Sequence, residues 1–422
     1  MTAACRFCRA PLHHTLVDLG MSPLANAYLS PERVNAAETF YPLHARVCER
    51  CLLVQVEEFE GPGEIFGDYA YFSSYSDSWL RHARAYTEAM VERFGFGATS
   101  QVVEIASNDG YLLQYFAARG IPVLGVEPAA NVAAVAAGKG IPSLVKFFGA
   151  ATARDLVADG RAADLLLGNN VLAHVPDLND FVAGMAIALK PGGVLTMEFP
   201  HLLRLIDESQ FDTIYHEHFS YFSFLTVRRV FAAHGLSLFD VEELPTHGGS
   251  LRIYGCHADE AARADRAPAD RVAALEEKER RAGLDRIETY TAFGARAEAT
   301  KRRLLAFLVA AKDAGRTVVG YGAPAKGNTL LNYCGIRGDF IDYTVDRSPH
   351  KQGLFLPGTH IPICSPDRIR ETRPDFVLIL PWNLREEIMA QTQFIGEWGG
   401  RFVTPIPEPR VWEPVALLEA AS

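Results

Sequence analysis

Short apolar runs alternate with amphipathic stretches through the middle of the chain. Val102-Val103-Glu104-Ile105, Val123-Leu124-Gly125-Val126, Asp164-Leu165-Leu166-Leu167 and Gly193-Val194-Leu195-Thr196-Met197 read as buried strands, with helical patterns between them. Strands that alternate with helices predict a parallel, doubly wound α/β sheet. Ligands of such sheets bind beyond the carboxyl ends of the strands. A helix is expected from about Trp79 to Phe94. The Tyr- and Ser-rich run ahead of it, Asp68 to Trp79, reads as interdomain packing, with Tyr69 and Tyr75 as the hydroxyls placed to reach a polar ligand.

The last third repeats the alternation on a smaller scale. Residues 270–312 predict one or two long helices with Ile287, Tyr290, Phe293, Leu304, Leu305 and Leu308 on an apolar face. The charge run Glu276–Arg281 reads as a solvated face. Arg316 to Thr329 then presents a strand, a Gly-rich turn and a helix start. Asp346 follows Tyr343-Thr-Val345, and Phe376 to Leu380 supplies a further strand, so a second, smaller Rossmann-like unit is expected. Lys326 stands like a phosphate partner at a helix N-terminus. Lys-Gly-Asn-Thr is nevertheless no P-loop, and a turn built for tight packing explains it as well as a nucleotide diphosphate site.

One stretch fits neither surface nor core. From Phe211 to Phe222, the residues Tyr215, His216, Glu217 and His218 sit between bulky apolar neighbours. An imidazole takes a proton near neutral pH, a carboxylate orients it or holds a hydroxyl, and a Tyr hydroxyl can donate to an oxyanion. In an extended segment His216 and His218 would share one face. Catalysis, a half-buried aromatic loop and a His-x-His metal pair are all compatible with these residues.

The chain has 422 residues, enough for two to four domains. Its 49% apolar and 22% charged content is that of a soluble globular protein. A formal net charge of −10 argues against a general nucleic-acid binder. No apolar run is long enough to span a bilayer and the N-terminus lacks a secretory pattern, so a cytoplasmic protein without membrane attachment is expected, as a monomer or weak oligomer. Four of the seven cysteines form the pairs Cys5-x-x-Cys8 and Cys48-x-x-Cys51. Two such knuckles can close a tetrahedral thiolate site with no open position, which predicts a structural zinc. A redox pair and an iron–sulfur cluster are the alternatives, and His13, His14 or His44 could replace one thiolate.

The strand ends carry further polar residues. Glu104-Ile-Ala-Ser-Asn-Asp-Gly110 follows the first central strand, and Glu127 ends the next, where a carboxylate can accept both hydroxyls of a ribose. The turn is no Gly-x-Gly-x-x-Gly, which disfavours NAD. Asn169 and Asn170 end the third strand, and Leu189-Lys-Pro-Gly-Gly193 makes the turn into the fourth. His174, before Val-Pro-Asp, could simply cap the next helix.

The acidic first strand, the Asn-Asp-Gly turn, Glu127 and the Lys-Pro-Gly-Gly turn resemble the class I S-adenosylmethionine-dependent methyltransferases. Position 106 is Ala where that family commonly has Gly. The resemblance implies that Glu104 is a cofactor-binding residue, that the loop 106–110, with Ala106, Asn108, Asp109 and Gly110, lines the methionine part of the cofactor, Glu127 the ribose, and Asn169 and Asn170 the region near the sulfonium. Over nearly the whole chain the two Cys pairs, the Tyr-rich segment, Asn-Val-Leu-Ala-His174, Thr-Ile-Tyr-His-Glu-His-Phe-Ser-Tyr-Phe and His-Gly-Gly-Ser-Leu-Arg252 look like the C-methyltransferases of nucleotide-linked 4-ketosugars. That likeness implies His218 as the base with Tyr215 and Glu217 beside it, and Tyr69 and His174 as further site members. Tyr75, His247, Lys326 and Asn328 are then expected on the substrate, a dTDP-4-keto-deoxysugar. It also implies a zinc module over 1–62, a methyltransferase domain over 63–255, and a helical spacer with a Rossmann-like nucleotide-sugar domain over 256–422. Methylation at the 3-position is expected, with the 5-position and an O-methyltransferase as alternatives.

Overall fold

The computed structural model describes residues 3–61, 63, 72–261, 266 and 269–414. The chain divides into two compact units, each assembled from separate stretches. The first takes Met1–Leu12, Cys48–Leu202 and Phe219–Arg286; the second takes His13–Val47, Leu203–His218 and Ile287–Ser422.

The first unit is built on a seven-stranded sheet. Ser143–Leu144, Val123–Val126, Val102–Ile105, Ala163–Asn169 and Leu189–Pro200 run parallel in that spatial order. Ser250–His257 then pairs antiparallel to Leu189–Pro200, and Leu236–Leu244 antiparallel to it. Val103, Leu124, Leu166 and Leu195 are almost fully buried, as strands covered on both faces must be. The Lys-Pro-Gly-Gly segment predicted as a turn lies inside the long strand Leu189–Pro200. The register jumps from Leu189 opposite Ala163 to Val194 opposite Leu165, so the segment leaves the ladder as a bulge.

The helix expected from Trp79 runs from Asp77 to Phe94. The Ser76 side chain accepts from the Trp79 N–H, and Gly95 closes the helix at φ 70°. Residues 270–312 form three helices rather than one or two: Asp270–Arg281, Ile287–Thr291 and Phe293–Asp313. Gly283 at φ 81° breaks the first of them from the rest.

The solvated face expected of Glu276–Arg281 needs one correction, because Glu279 is fully buried. Its carboxylate accepts the N–H groups of Phe224 and Leu225 at the start of the helix Phe224–Ala232, at 2.7 and 2.8 Å, and lies 2.7 Å from His201 Nε2. A helix N-terminus presents unpaired donors and a positive end, which is what a buried carboxylate needs.

The second unit holds a six-stranded sheet in the order Ile363–Cys364, Thr344–Val345, Val318–Tyr321, Phe376–Ile379, Arg401–Thr404, Arg410–Trp412, parallel except for its last strand. The antiparallel pair His14–Ser22 and Tyr41–Val47 belongs to the same unit. Tyr290, Phe293, Leu304 and Leu308 bury the predicted apolar helix face completely, and Ile287 and Leu305 do so in part. No helix among the described residues is long and apolar enough to cross a membrane.

Candidate functional site: a zinc centre, a cofactor turn and a His–Tyr pair

The two Cys pairs fold into matching knuckles. Arg9 N–H returns to Cys5 O and Leu52 N–H to Cys48 O, while Cys5 N–H reaches Ala10 O and Cys48 N–H reaches Leu53 O. Arg9 and Leu52 both take a left-handed φ, 61° and 62°. All four sulfurs lie within 4.8 Å of one another, with Cys5 and Cys51 at 3.6 Å and Cys8 and Cys48 at 3.5 Å. Zinc–sulfur bonds of about 2.3 Å in a tetrahedron put sulfurs about 3.8 Å apart, so the donor set fits zinc. Gln55 donates to Cys5 Sγ at 3.3 Å as an outer partner. His44 is instead 2.8 Å from Thr15 Oγ1, and the thiolates need no imidazole. The zinc is structural.

At the carboxyl end of Val102–Ile105 the chain turns through Ala106, Asn108 and Gly110 at φ 55°, 49° and 75°. Ala106 thus holds a conformation that Gly adopts at lower cost. Glu127 pins this turn: one carboxylate oxygen accepts from Asn108 N–H and the other from Ala129 N–H, both at 2.9 Å. Burial holds Glu127 above the usual carboxylate range, and pushes the fully buried Glu104 well above it, against the opposing pull of Tyr111. The Asn169 amide, Ser107 Oγ and Asp109 Oδ1 are buried without a hydrogen-bond partner among the described residues. Such groups are rare unless a ligand completes them, and this set fits a polar nucleoside cofactor.

Trp79 organises the neighbourhood of this turn. Its ring stacks on His82 and Tyr111 and meets His247 edge-on at 5.2 Å. His247, at φ 55°, accepts at Nε2 from the Asn170 amide at 2.9 Å. Glu198 gathers His82 and Arg252, which hold its carboxyl below the usual range despite complete burial. His174 ends the short turn Leu172–His174 and does not cap the following helix, because Asp177 does so through Asp180 N–H.

In the second unit the Tyr-His-Glu-His stretch is a turn, not a strand, which overturns the shared face of His216 and His218. His218 N–H closes onto Tyr215 O at 2.9 Å. The fold brings Tyr215 and His218 together instead, with ring centroids 4.0 Å apart and Tyr215 Oη 2.7 Å from His218 Nε2. His218 Nδ1 lies 3.1 Å from Thr213 O, an acceptor only, so Nδ1 carries a proton, and in the neutral imidazole Nε2 keeps the lone pair. His216 points elsewhere, towards Pro42 O and the Tyr41 ring. Glu217 is 4% exposed, and burial raises its carboxyl to about 7 against the pull of Asn26 and Lys351.

The remaining predicted residues scatter. Lys326 reaches Asn383 Oδ1 at 2.8 Å and lies over the Trp382 ring, with its charge beside Asp212. Asn328 is buried and donates to Ala25 O at 2.6 Å, as a strut within the fold. Tyr75 is 75% exposed on the turn Ser73–Tyr75. Tyr69 lies outside the described residues. Asn26, Tyr28 and Lys351 are additions that no local pattern announces, since each comes from an irregular segment far along the chain from Glu217.

Three family models match in succession: a zinc binding domain over residues 5–66, a methyltransferase domain over 79–241, and a C-methyltransferase C-terminal domain over 245–407. Among solved structures, PH0226 protein from Pyrococcus horikoshii aligns at 14% identity over 47% of this chain and 99% of its own, with a TM-score of 0.37. Magnesium protoporphyrin IX methyltransferase from Synechocystis with bound S-adenosylmethionine aligns at 14% over 46% and 88%, with a TM-score of 0.32. The C-methyltransferase NovU of Streptomyces niveus is 37% identical over 96% of both chains. With that likeness and the three successive domains, the chain belongs to the S-adenosylmethionine-dependent C-methyltransferases with an N-terminal zinc-binding domain.

Proposed function

We propose that the acceptor is a thymidine-diphosphate-linked 4-keto-deoxysugar and that His218 removes the proton from the carbon to be methylated, with the 3-position favoured. The observation that carries this reading is the Tyr215–His218 pair: a neutral imidazole with its tautomer set by Thr213 O, and a phenol 2.7 Å from its lone pair. A carbon beside a carbonyl is acidic because its carbanion delocalises onto oxygen. When the sugar carbonyl takes the Tyr215 hydroxyl proton as a hydrogen bond, His218 Nε2 is released to accept the carbon-bound proton, and Tyr215 stabilises the enolate. Glu217 holds a sugar hydroxyl, and the family resemblance adds His174 and Tyr69 as residues that act on the acceptor. Bound S-adenosylmethionine supplies the methyl group as an electrophile that already carries positive charge. Its holders are Glu104, Ala106, Asn108, Asp109, Gly110, Glu127, Asn169 and Asn170. Residues 256–422 bind the nucleotide part, and zinc takes no part in the chemistry.

Mass spectrometry of the sugar after incubation with S-adenosylmethionine and a thymidine-diphosphate 4-keto-6-deoxysugar in deuterated water tests this. The expected product gains one methyl group and loses the proton at the methylated carbon. No methyl gain by a protein that demonstrably binds the cofactor would remove this acceptor.

A further inference from the structure

Glu217 is held by a residue from a distant stretch of the same unit. Asn26 Nδ2 donates to Oε1 at 2.7 Å and to Oε2 at 2.9 Å, across 191 residues of chain. An amide nitrogen between both oxygens fixes the carboxylate's rotation, as a single bond would not. The Tyr28 hydroxyl passes Asn26 Oδ1 at 3.3 Å, but its one proton goes elsewhere. Tyr28 donates to Ala323 O at 2.5 Å, and Lys351 donates to the same carbonyl at 2.9 Å while lying over the Tyr28 ring. Ala323 opens the turn before the helix Ala325–Cys334, and its N–H is held by Asp346 at 2.8 Å.

We propose that Asn26 is the positioning residue for Glu217, fixing the carboxylate that meets the acceptor. The role of Glu217 rests on the function proposed above; the grip of Asn26 does not. Among the described residues, Asn26 acts on Glu217 as a donor, Lys351 as a cation, and Tyr28 stands near it as a neutral phenol. Asn26 has an exposed side, so replacing it leaves the core intact. Loss of its donor disfavours the ionised carboxylate, and a carboxylate in its place disfavours it more. The titration of Glu217 therefore moves to higher pH in Asn26→Ala and further in Asn26→Asp. Lys351→Met moves it the same way by losing the cation.

The test is a pH titration of the carbon-13 carboxyl resonance of Glu217, assigned by its disappearance in Glu217→Gln, in full-length protein and the Asn26 variants. It is paired with the pH profile of methyl transfer to thymidine-diphosphate-4-keto-6-deoxyglucose. The expected result is an upward shift in the order Asn26→Asp, then Asn26→Ala, with the acid limb of kcat moving alongside and kcat falling about ten- to a hundred-fold. The KM for S-adenosylmethionine should not change. An unchanged resonance titration in both Asn26 variants overturns the proposal. Full turnover by Glu217→Gln overturns the catalytic reading of Glu217 instead, and the resonance then still decides whether Asn26 holds it.

Discussion

Tyr215 Oη and His218 Nε2 lie 2.7 Å apart because a turn, closed by the His218 N–H onto Tyr215 O, stacks residues three positions apart. The His218 imidazole donates through Nδ1 to Thr213 O, and its other nitrogen faces a phenol. Under the function proposed above, this pair would serve as base and oxyanion donor in enolate formation.

His218→Asn keeps a side-chain donor towards Thr213 O but offers no basic nitrogen. Methyl transfer should fall by about 10²–10⁴-fold. Tyr215→Phe, which removes the enolate donor, should cost about 10²–10³-fold. S-adenosylmethionine affinity by calorimetry should be unchanged in both. A His218→Asn rate near wild type would remove it as the base.

Glu217 makes stability fall as pH rises. Its folded carboxyl titrates at about 7 against 4.5 for the exposed group of the unfolded chain, so the native protein binds the extra proton between those values. Stability drops through that window and stays lower above it. Glu217→Gln should therefore raise Tm most at pH 8 and little at pH 4.5, with a ceiling of ~3 kcal/mol at 1.36 kcal/mol per unit. Thermal melts of both proteins across that range check it, and an equal Tm difference at both ends would contradict the buried, weakly compensated carboxylate.

Removing zinc should unfold the knuckles. Four thiolates are held within 4.8 Å of one another, and without the metal these buried sulfurs lose the bonds that pin both Cys pairs. A chelator strong enough to strip zinc, or Cys48→Ser, should lower Tm and release one zinc per chain by colorimetric assay. Added zinc should restore the melt of the wild type but not of the variant.

Glu279 should matter more than its place in a charge run suggests. Glu279→Ala strands His201 and two N–H donors at the start of Phe224–Ala232, at a cost of about 3–5 kcal/mol if His201 is charged and about 1–3 kcal/mol if it is neutral. Glu279→Gln keeps one acceptor and should lose less. Urea denaturation of the three proteins gives the order, and a cost for Glu279→Ala within the range of a surface substitution would refute the cap.

Local sequence determined a good deal. Strand runs separated by helical pattern specified two wound sheets, because alternation between the periods of strand and helix leaves few ways to bury both. The Cys-x-x-Cys pairs specified a thiolate cage, since knuckle geometry is a property of a few consecutive residues. The turn after Val102–Ile105 was legible for the same reason: a strand end, a tight turn and an acid one strand later are all local or periodic features. Tertiary structure decided the rest. The Tyr215–His218 pair depends on a turn whose residues carry no Gly or Pro to announce it, so strand alternation was the wrong period there. Lys326 faces Asp212 and Trp382 because a buried amine is stabilised by the nearest carboxylate and ring, and those come from elsewhere in the chain. Asn26 and Glu217 meet across 191 residues, and Glu279 caps a helix 55 positions before it. A hydrogen bond leaves no trace in sequence periodicity when its partners share no element, so only the folded chain could say which carboxylates are solvated and which are held.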